Sequence, residues 1–492
     1  MSIQKNTAYN LLGAVLPLGL SLFTIPLYIG LIGEARYGVL AIAWLLLGYF
    51  GLFDLGLGRA TAQRIASLGN SSPEQLASTF WTALTMNVSL GVIGGLLIWP
   101  VAVYFFEHVF KVDPALRSEL SAAIPWLVLA VPLATLSGVL TGALEGRSKF
   151  LELNLISVTS SVLIQLLPLA VALLHGPDLR WLLPAVILGR LLTLIALFAR
   201  CRIHVFQGFA LKVSRDLAKG LLQFGGWVTV SSLISPMMVI LDRFVIGATL
   251  GAKSVTFYTV PFQLAERTTI LAGALSSALF PRLTAAGEDE AQRLAATAIQ
   301  SLAVVMTPLV LLCLLFIKPF LNWWLSPDFG VQAGLAAEIL LFGFWINALA
   351  RIPYAQLQAA GRPRVVAQCH LAELLPYLGL LYVGLYFWGV PGAALAFSLR
   401  TMADFILLSW FAGNIMIGLQ TLRVPALILL VGQGVAVLIS LSTLNGWFAR
   451  LGLVLFSLIW AWRSAPLELR GIATCLLKKV TTSRRNNGDT LL

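Results

Sequence analysis

The sequence predicts an all-α polytopic membrane protein of about fourteen transmembrane helices, built as two six-helix lobes in parallel pseudo-twofold repeat with two further helices at the C-terminal end. Three observations carry this reading. First, 59% of the 492 residues are hydrophobic and only 11% are charged, with a mean hydropathy of +0.89, against about 45–50% apolar in an ordinary soluble domain. Second, apolar runs of about 20 residues, the length that crosses a bilayer as a helix, recur from Ala8 to Leu455. Third, the cations fall unevenly between alternate loops. Helices rather than barrel strands follow because the runs are continuous and show no two-residue alternation.

Taken in order, the predicted spans cover residues 7–29, 37–59, 78–106, 118–144, 151–174 and 182–199 in the first lobe and 221–247, 254–280, 294–317, 335–358, 364–387 and 390–413 in the second. Two more follow at 424–442 and 447–462. This assigns 1–199 to an N-lobe, 200–220 to a cytoplasmic connector, 221–413 to a C-lobe, 424–462 to the extra pair and 463–492 to a basic cytoplasmic tail. The first run follows Lys5, contains Pro17 and Pro26, and lacks a small-residue cleavage site, so it reads as an uncleaved first span.

Of the 33 lysines and arginines, 21 lie on the side of the amino terminus, 7 (Arg36, Lys111, Arg117, Arg180, Lys253, Lys318 and Arg450) are counted to the loops of the opposite side, and 5 lie within spans. That bias satisfies the positive-inside rule and puts both termini in the cytoplasm. The net charge of +12 therefore reports topology and anionic lipid headgroups rather than nucleic acid. Cys201, Cys313, Cys369 and Cys475 are isolated, without the spacing of a metal site or a disulfide framework.

The connector mixes Phe206, Phe209, Leu211, Val213 and Leu217 with five cations, the pattern of an amphipathic segment on the membrane surface. It falls between spans six and seven, where a two-lobed transporter carries its link. Internal similarity agrees: Ile29-Gly30-Leu-Ile-Gly-Glu-Ala-Arg parallels Ile246-Gly247-Ala-Thr-Leu-Gly-Ala-Lys, each joining the first and second spans of a lobe, and the overlay brings Pro17 near Pro236. Helix interruptions at matching places in two halves point to a transport pathway.

Ionisable residues at membrane depth are costly, by about 2.5–3.5 kcal/mol on insertion scales, and mark function or tight pairing. Arg243, Arg267, Arg351 and Arg400 fall inside second-lobe spans, with Asp242, Glu266, Glu373 and Asp404; the first lobe offers Asp54, Arg59 and Arg190. Arginine stays charged and grips phosphate with two parallel donors, so several in one cavity suit a phosphorylated ligand. The carboxylates Asp54, Asp242, Glu266, Glu373 and Asp404 either brace these arginines or take up a proton or sodium ion that couples transport. Arg400 and Asp404 are spaced for an intrahelical ion pair. Asp242 and Arg243, adjacent on a helix, should point about 100° apart and so face different partners. His370 reads as a proton relay or a hydrogen-bonded packing residue. No catalytic constellation, Gly-rich phosphate loop or metal cluster is apparent, and no loop is long enough for an enzyme active site.

Several segments resemble the polysaccharide flippases, of the O-antigen (Wzx-type) and exopolysaccharide branch, in the multidrug/oligosaccharidyl-lipid/polysaccharide exporter superfamily. They are Asn10-Leu-Leu-Gly, Arg36-Tyr-Gly, Gly51-Leu-Phe-Asp-Leu-Gly-Leu-Gly-Arg-Ala60, Leu241-Asp-Arg-Phe-Val-Ile-Gly247, Tyr258-Thr-Val-Pro261 and Leu279-Phe-Pro-Arg-Leu283. The resemblance implies two lobes around a central cavity, no covalent chemistry, and alternating access that moves an undecaprenyl-diphosphate-linked oligosaccharide to the periplasmic leaflet of the bacterial inner membrane. Other glycan-assembly membrane proteins are then partners to expect. The motifs place Arg59 and Arg243 among ligand-binding cations, while Arg267, Arg351 and Arg400 enter by depth alone. A small-cation or multidrug exporter of the same architecture is the alternative, and a glycan polymerase or ligase a more distant one.

Overall fold

The computed structural model describes residues 3–49, 56–69, 73–439, 443–467 and 469–471; for 3–18, 49, 222–236 and 239 it gives the backbone path only. Among these residues there are helices and connecting turns but no strands. With no water in the hydrocarbon to hydrogen-bond a free backbone, apolar runs of this length fold as helices, whose bonds close within the segment. The helices are α1 (Ile3–Tyr49), α2 (Leu57–Leu68), α3 (Pro73–Tyr104), α4 (Pro114–Gly146), α5 (Phe150–His175), α6 (Leu179–Cys201), α7 (Arg215–Thr249), α8 (Ala252–Arg267) and α9 (Ile270–Ala285). They continue with α10 (Glu288–Trp324), α11 (Pro327–Ala359), α12 (Pro363–Trp388), α13 (Val390–Phe411), α14 (Ile415–Leu438) and α15 (Leu444–Ser464). Short π-helical turns at 105–109 and 202–206 extend α3 and α6.

Eleven of the described helices are long and apolar enough to cross a bilayer, which makes this a multi-pass membrane protein. Large apolar side chains stand exposed along them, Leu96, Leu97, Leu375 and Tyr386 among them, a surface that suits lipid rather than water. Every predicted span has its helix, with two differences. Spans one and two run together as α1, which continues across a bend at Gly33 (φ 79, ψ 164). The predicted second and eighth spans, in turn, are not single rods. A separate helix, α2, starts at Leu57 behind Gly56, whose φ of 68 is left-handed. The eighth span is divided into α8 and α9 by a turn at Thr268-Thr269.

The chain divides into two compact units, residues 1–259 and 260–492, and the division falls inside α8. In the first unit α4 packs against α2, α3 and α6, and α5 lies on α1 and α6. An aromatic group of Phe80, Trp81, Phe198 and Phe206 closes one end, with Phe80 and Phe206 stacked at 5.0 Å. The connector is tied along α3: Trp81 Nε1 donates to Phe209 O at 3.1 Å and Ser214 N donates to Thr82 Oγ1 at 3.1 Å. Phe209, Leu211 and Val213 remain exposed on it, as its amphipathic pattern predicts.

In the second unit α11 is central, flanked by α9, α10 and α13. Ser326 caps it, accepting from Phe329 N at 3.1 Å, with Pro327 in the first turn where its missing donor costs nothing. Phe262, Phe344 and Phe397 form a ring triad with centroids 4.8–5.2 Å apart. Arg450, which its loop position makes a surface cation in sequence, is buried instead. Its guanidinium donates to Leu315 O, Gly446 O and Ala436 O at 3.3–3.4 Å, tying α15 to α10 and to the last turn of α14. Carbonyls at a helix C-terminus lack intrahelical donors, and a buried cation satisfies them.

Candidate functional site

Asp242 and Arg243 lie in α7 of the first unit, 0% and 2% exposed. Their burial follows from how the α7–α8 turn is held. Lys111 N donates to Gly247 O and Ala252 N donates back to Lys111 O, both at 3.1 Å, while Phe105 packs on Phe244 at 5.2 Å. Gly251 makes that turn with φ +93, a conformation that favours glycine. Within this pocket Arg243 Nη1 donates to both oxygens of Asp242, at 2.7 and 2.8 Å, Tyr258 OH donates to Asp242 Oδ2 at 3.0 Å, and the guanidinium lies 5.1 Å from the Tyr258 ring centroid. The expectation that the two groups face different partners is therefore corrected. The Cβ directions diverge as expected, but the arginine stem is long enough to fold back, and both groups converge on Tyr258.

Glu266 and Arg267 occupy the last turn of α8 and are both exposed in the second unit. The break after them is local: Thr268 Oγ1 donates to Ala265 O at 2.7 Å and Thr269 Oγ1 to Glu266 O at 2.8 Å. Side-chain hydroxyls thus compete for carbonyls that a continuing helix would use. At 16 residues each, α8 and α9 are shorter than the ~20 residues a crossing needs, and Arg267 closes the first just before the second begins. Arg351 is exposed on α11, its carbonyl accepting from Ser276 Oγ of α9 at 3.5 Å and its Nη1 lying over Gly273. A cation close to a helix N-terminus is chemistry for an anion.

Glu373, Arg400 and Asp404 come together with His370 in the interior of the second unit, all four buried. Asp404 Oδ1 is 3.3 Å from His370 Nε2, and the His370 ring stacks on Tyr354 with centroids 6.3 Å apart. The Arg400 guanidinium lies 5.9 Å from the Tyr377 ring centroid. In the first unit Arg59 is exposed in the first turn of α2 and within electrostatic reach of Glu145. Asp54 lies outside the described residues.

Sequence reasoning missed two partnerships. Arg36, counted as a loop cation, is held by Glu119 at 2.6 and 2.9 Å while Glu119 also accepts from Leu179 N at 3.2 Å, joining α1, α4 and α6. The His370–Asp404 contact spans two helices, and only depth could have hinted at it.

The profile of one family, described as polysaccharide biosynthesis proteins, matches residues 30–331. The chain belongs to this family. Among relatives of this polysaccharide biosynthesis protein is a candidate O-antigen transporter of Shigella flexneri, 30% identical over 413 residues that cover 83% of this chain and 97% of the relative. An uncharacterised membrane protein, EpsK, of Bacillus subtilis (strain 168) is 23% identical over 370 residues, 72% of this chain and 71% of that one. Two solved structures share the fold at low identity. The lipid II flippase MurJ, in an inward closed conformation, covers 96% of this chain and 100% of its own with a TM-score of 0.70 at 12% identity. An inward-facing multidrug resistance MATE transporter of the MOP superfamily covers 84% and 99% with a TM-score of 0.66 at 16% identity. At these identities the likeness is one of fold, while the family match and the O-antigen transporter relative bear out the resemblance carried by the motifs.

Proposed function

We propose that this family member carries a lipid-linked oligosaccharide, its sugar joined to undecaprenol through a diphosphate, from the cytoplasmic to the periplasmic leaflet of the bacterial inner membrane by alternating access between two six-helix lobes. The observation that carries the reading is the division of the eighth span, where Arg267 closes α8 just before the N-terminus of α9. A diphosphate crossing the membrane needs charge compensation away from water, and a cation close to a helix N-terminus supplies it. Arg59, in the first turn of α2, and Arg351 are the other exposed arginines of the set. Arg243 and Arg400, buried in this conformation, hold the helices that carry the pathway, with Asp242, Glu266, Glu373 and Asp404 as bracing or coupling carboxylates. No covalent step is required, so the chain works as a transporter and not as an enzyme. Exposed arginines disfavour the small-cation exporter reading, because a cationic substrate would meet like charge. Deleting the protein should leave the lipid-linked repeat unit accumulating on the cytoplasmic side, and the wild-type chain should restore its export; a deletion strain with normal export refutes the proposal.

A further inference from the structure

The interior of the second unit holds a cluster that phosphate binding does not use. Glu373 is 5% exposed, and neither of its carboxylate oxygens has a hydrogen-bond partner among the described residues. Cys369 on its own helix and Arg400 and Asp404 on α13 lie within electrostatic reach of it, with His370 against Asp404 and Tyr377 beside Arg400. From α11, Tyr354 stacks on His370, while the lone titratable residue of α14, Arg423, points outward. Counting charge, the cluster has two carboxylates and one permanent cation, Arg400. Arg400 acts electrostatically on Glu373 while His370 contacts Asp404, so a single permanent cation faces two buried carboxylates and the cluster keeps one negative charge in excess. Such a group binds a cation or becomes neutral.

Sodium and other hard cations require several oxygen ligands, whereas this cluster interposes a guanidinium and an imidazole. The described residues contain no group of three or more His, Cys, Asp or Glu arranged to hold a metal. Carboxylate and histidine chains within membrane helices are, by contrast, the material of proton relays. We infer that Glu373, Asp404 and His370 form a site in the C-terminal unit that binds and releases one proton. On uptake Glu373 becomes a neutral acid and can donate to a carboxylate oxygen of Asp404; on release the proton leaves by His370, whose ring faces Asp404. Coupling this step to transport rests on the flippase reading, but binding of the proton does not.

The test uses the full-length protein in lipid nanodiscs without glycan, followed by infrared difference spectroscopy between acidic and alkaline buffer. Wild type should show the carbonyl stretch of one protonated carboxylic acid that disappears on deprotonation. Glu373→Gln should lose that band, and Asp404→Asn should keep it with a shifted frequency and titration midpoint, which guards against misfolding of either variant alone. The midpoint should be the same in sodium and potassium buffers. A band that persists in Glu373→Gln, no titrating band in wild type, or a midpoint moved by sodium would each overturn the assignment.

Discussion

Arg243 Nη1 sits 2.7 and 2.8 Å from the two carboxylate oxygens of Asp242, its own neighbour in the chain, and the pair is almost completely sealed from solvent. A buried ion pair is weak as net stabilisation, yet removing one partner strands the other charge, at about 3–5 kcal/mol. Arg243→Ala should therefore unfold the protein at markedly lower temperature, and the double replacement Asp242→Asn with Arg243→Gln should recover part of the loss. Thermal unfolding of the purified variants in detergent reads this, and additive losses would count against the pairing.

Tyr258 completes that group by donating to Asp242 Oδ2 at 3.0 Å. Hydrogen bonds to charged groups contribute about 1.5–3 kcal/mol. Tyr258→Phe should lower stability by about that amount while leaving the Arg243–Asp242 contact in place, as measured by the same unfolding curves.

The turn at Thr268-Thr269 is set by two hydroxyls and is open to design. Replacing both with leucine removes the competing hydroxyl donors and restores a helical propensity, so α8 and α9 should fuse towards one rod. Export of glycan should fall by about tenfold, the equivalent of 1.4 kcal/mol, at unchanged protein level; full export would show that the interruption plays no part in transport.

Gly384 of α12 and Gly392 of α13 face each other so closely that a Cβ on either would strike the other's carbonyl. Overpacking of this kind costs about 1–3 kcal/mol. Gly392→Ala should destabilise the second unit by that amount in denaturant titrations, whereas alanine at the open position Gly379 should be silent.

The spans were legible because hydrocarbon leaves the backbone no alternative to helix over runs such as Leu179–Cys201. Gly33 and Gly251, one place out of register in the sequence overlay, both take positive φ. What the sequence concealed were distances set by side-chain reach and tertiary packing. Ala265-Glu266-Arg267-Thr268-Thr269 reads as the middle of an apolar run, and only the hydroxyl contacts break it. Arg243 folding back on Asp242 depends on stem length, which helix angles ignore. The His370–Asp404 contact joins residues on separate helices, and Arg450, read as a loop cation, proves to be a clamp because its helix packs inward. The charged set was thus identifiable by depth, while its division into buried and exposed members required the packing.

The most direct test of the account is Arg267→Ala, because this exposed arginine at the interrupted helix is assigned to the ligand and not to the fold. An exposed substitution of this kind changes stability by only about 0.5 kcal/mol, whereas a lost charge-assisted hydrogen bond to phosphate lowers export by about tenfold or more. Translocated glycan is to be measured in cells carrying the variant at wild-type protein level, with the cytoplasmic lipid-linked repeat unit quantified alongside. The account predicts reduced export with accumulation of the repeat unit and partial retention in Arg267→Lys; undiminished export in Arg267→Ala at matched protein level would contradict it.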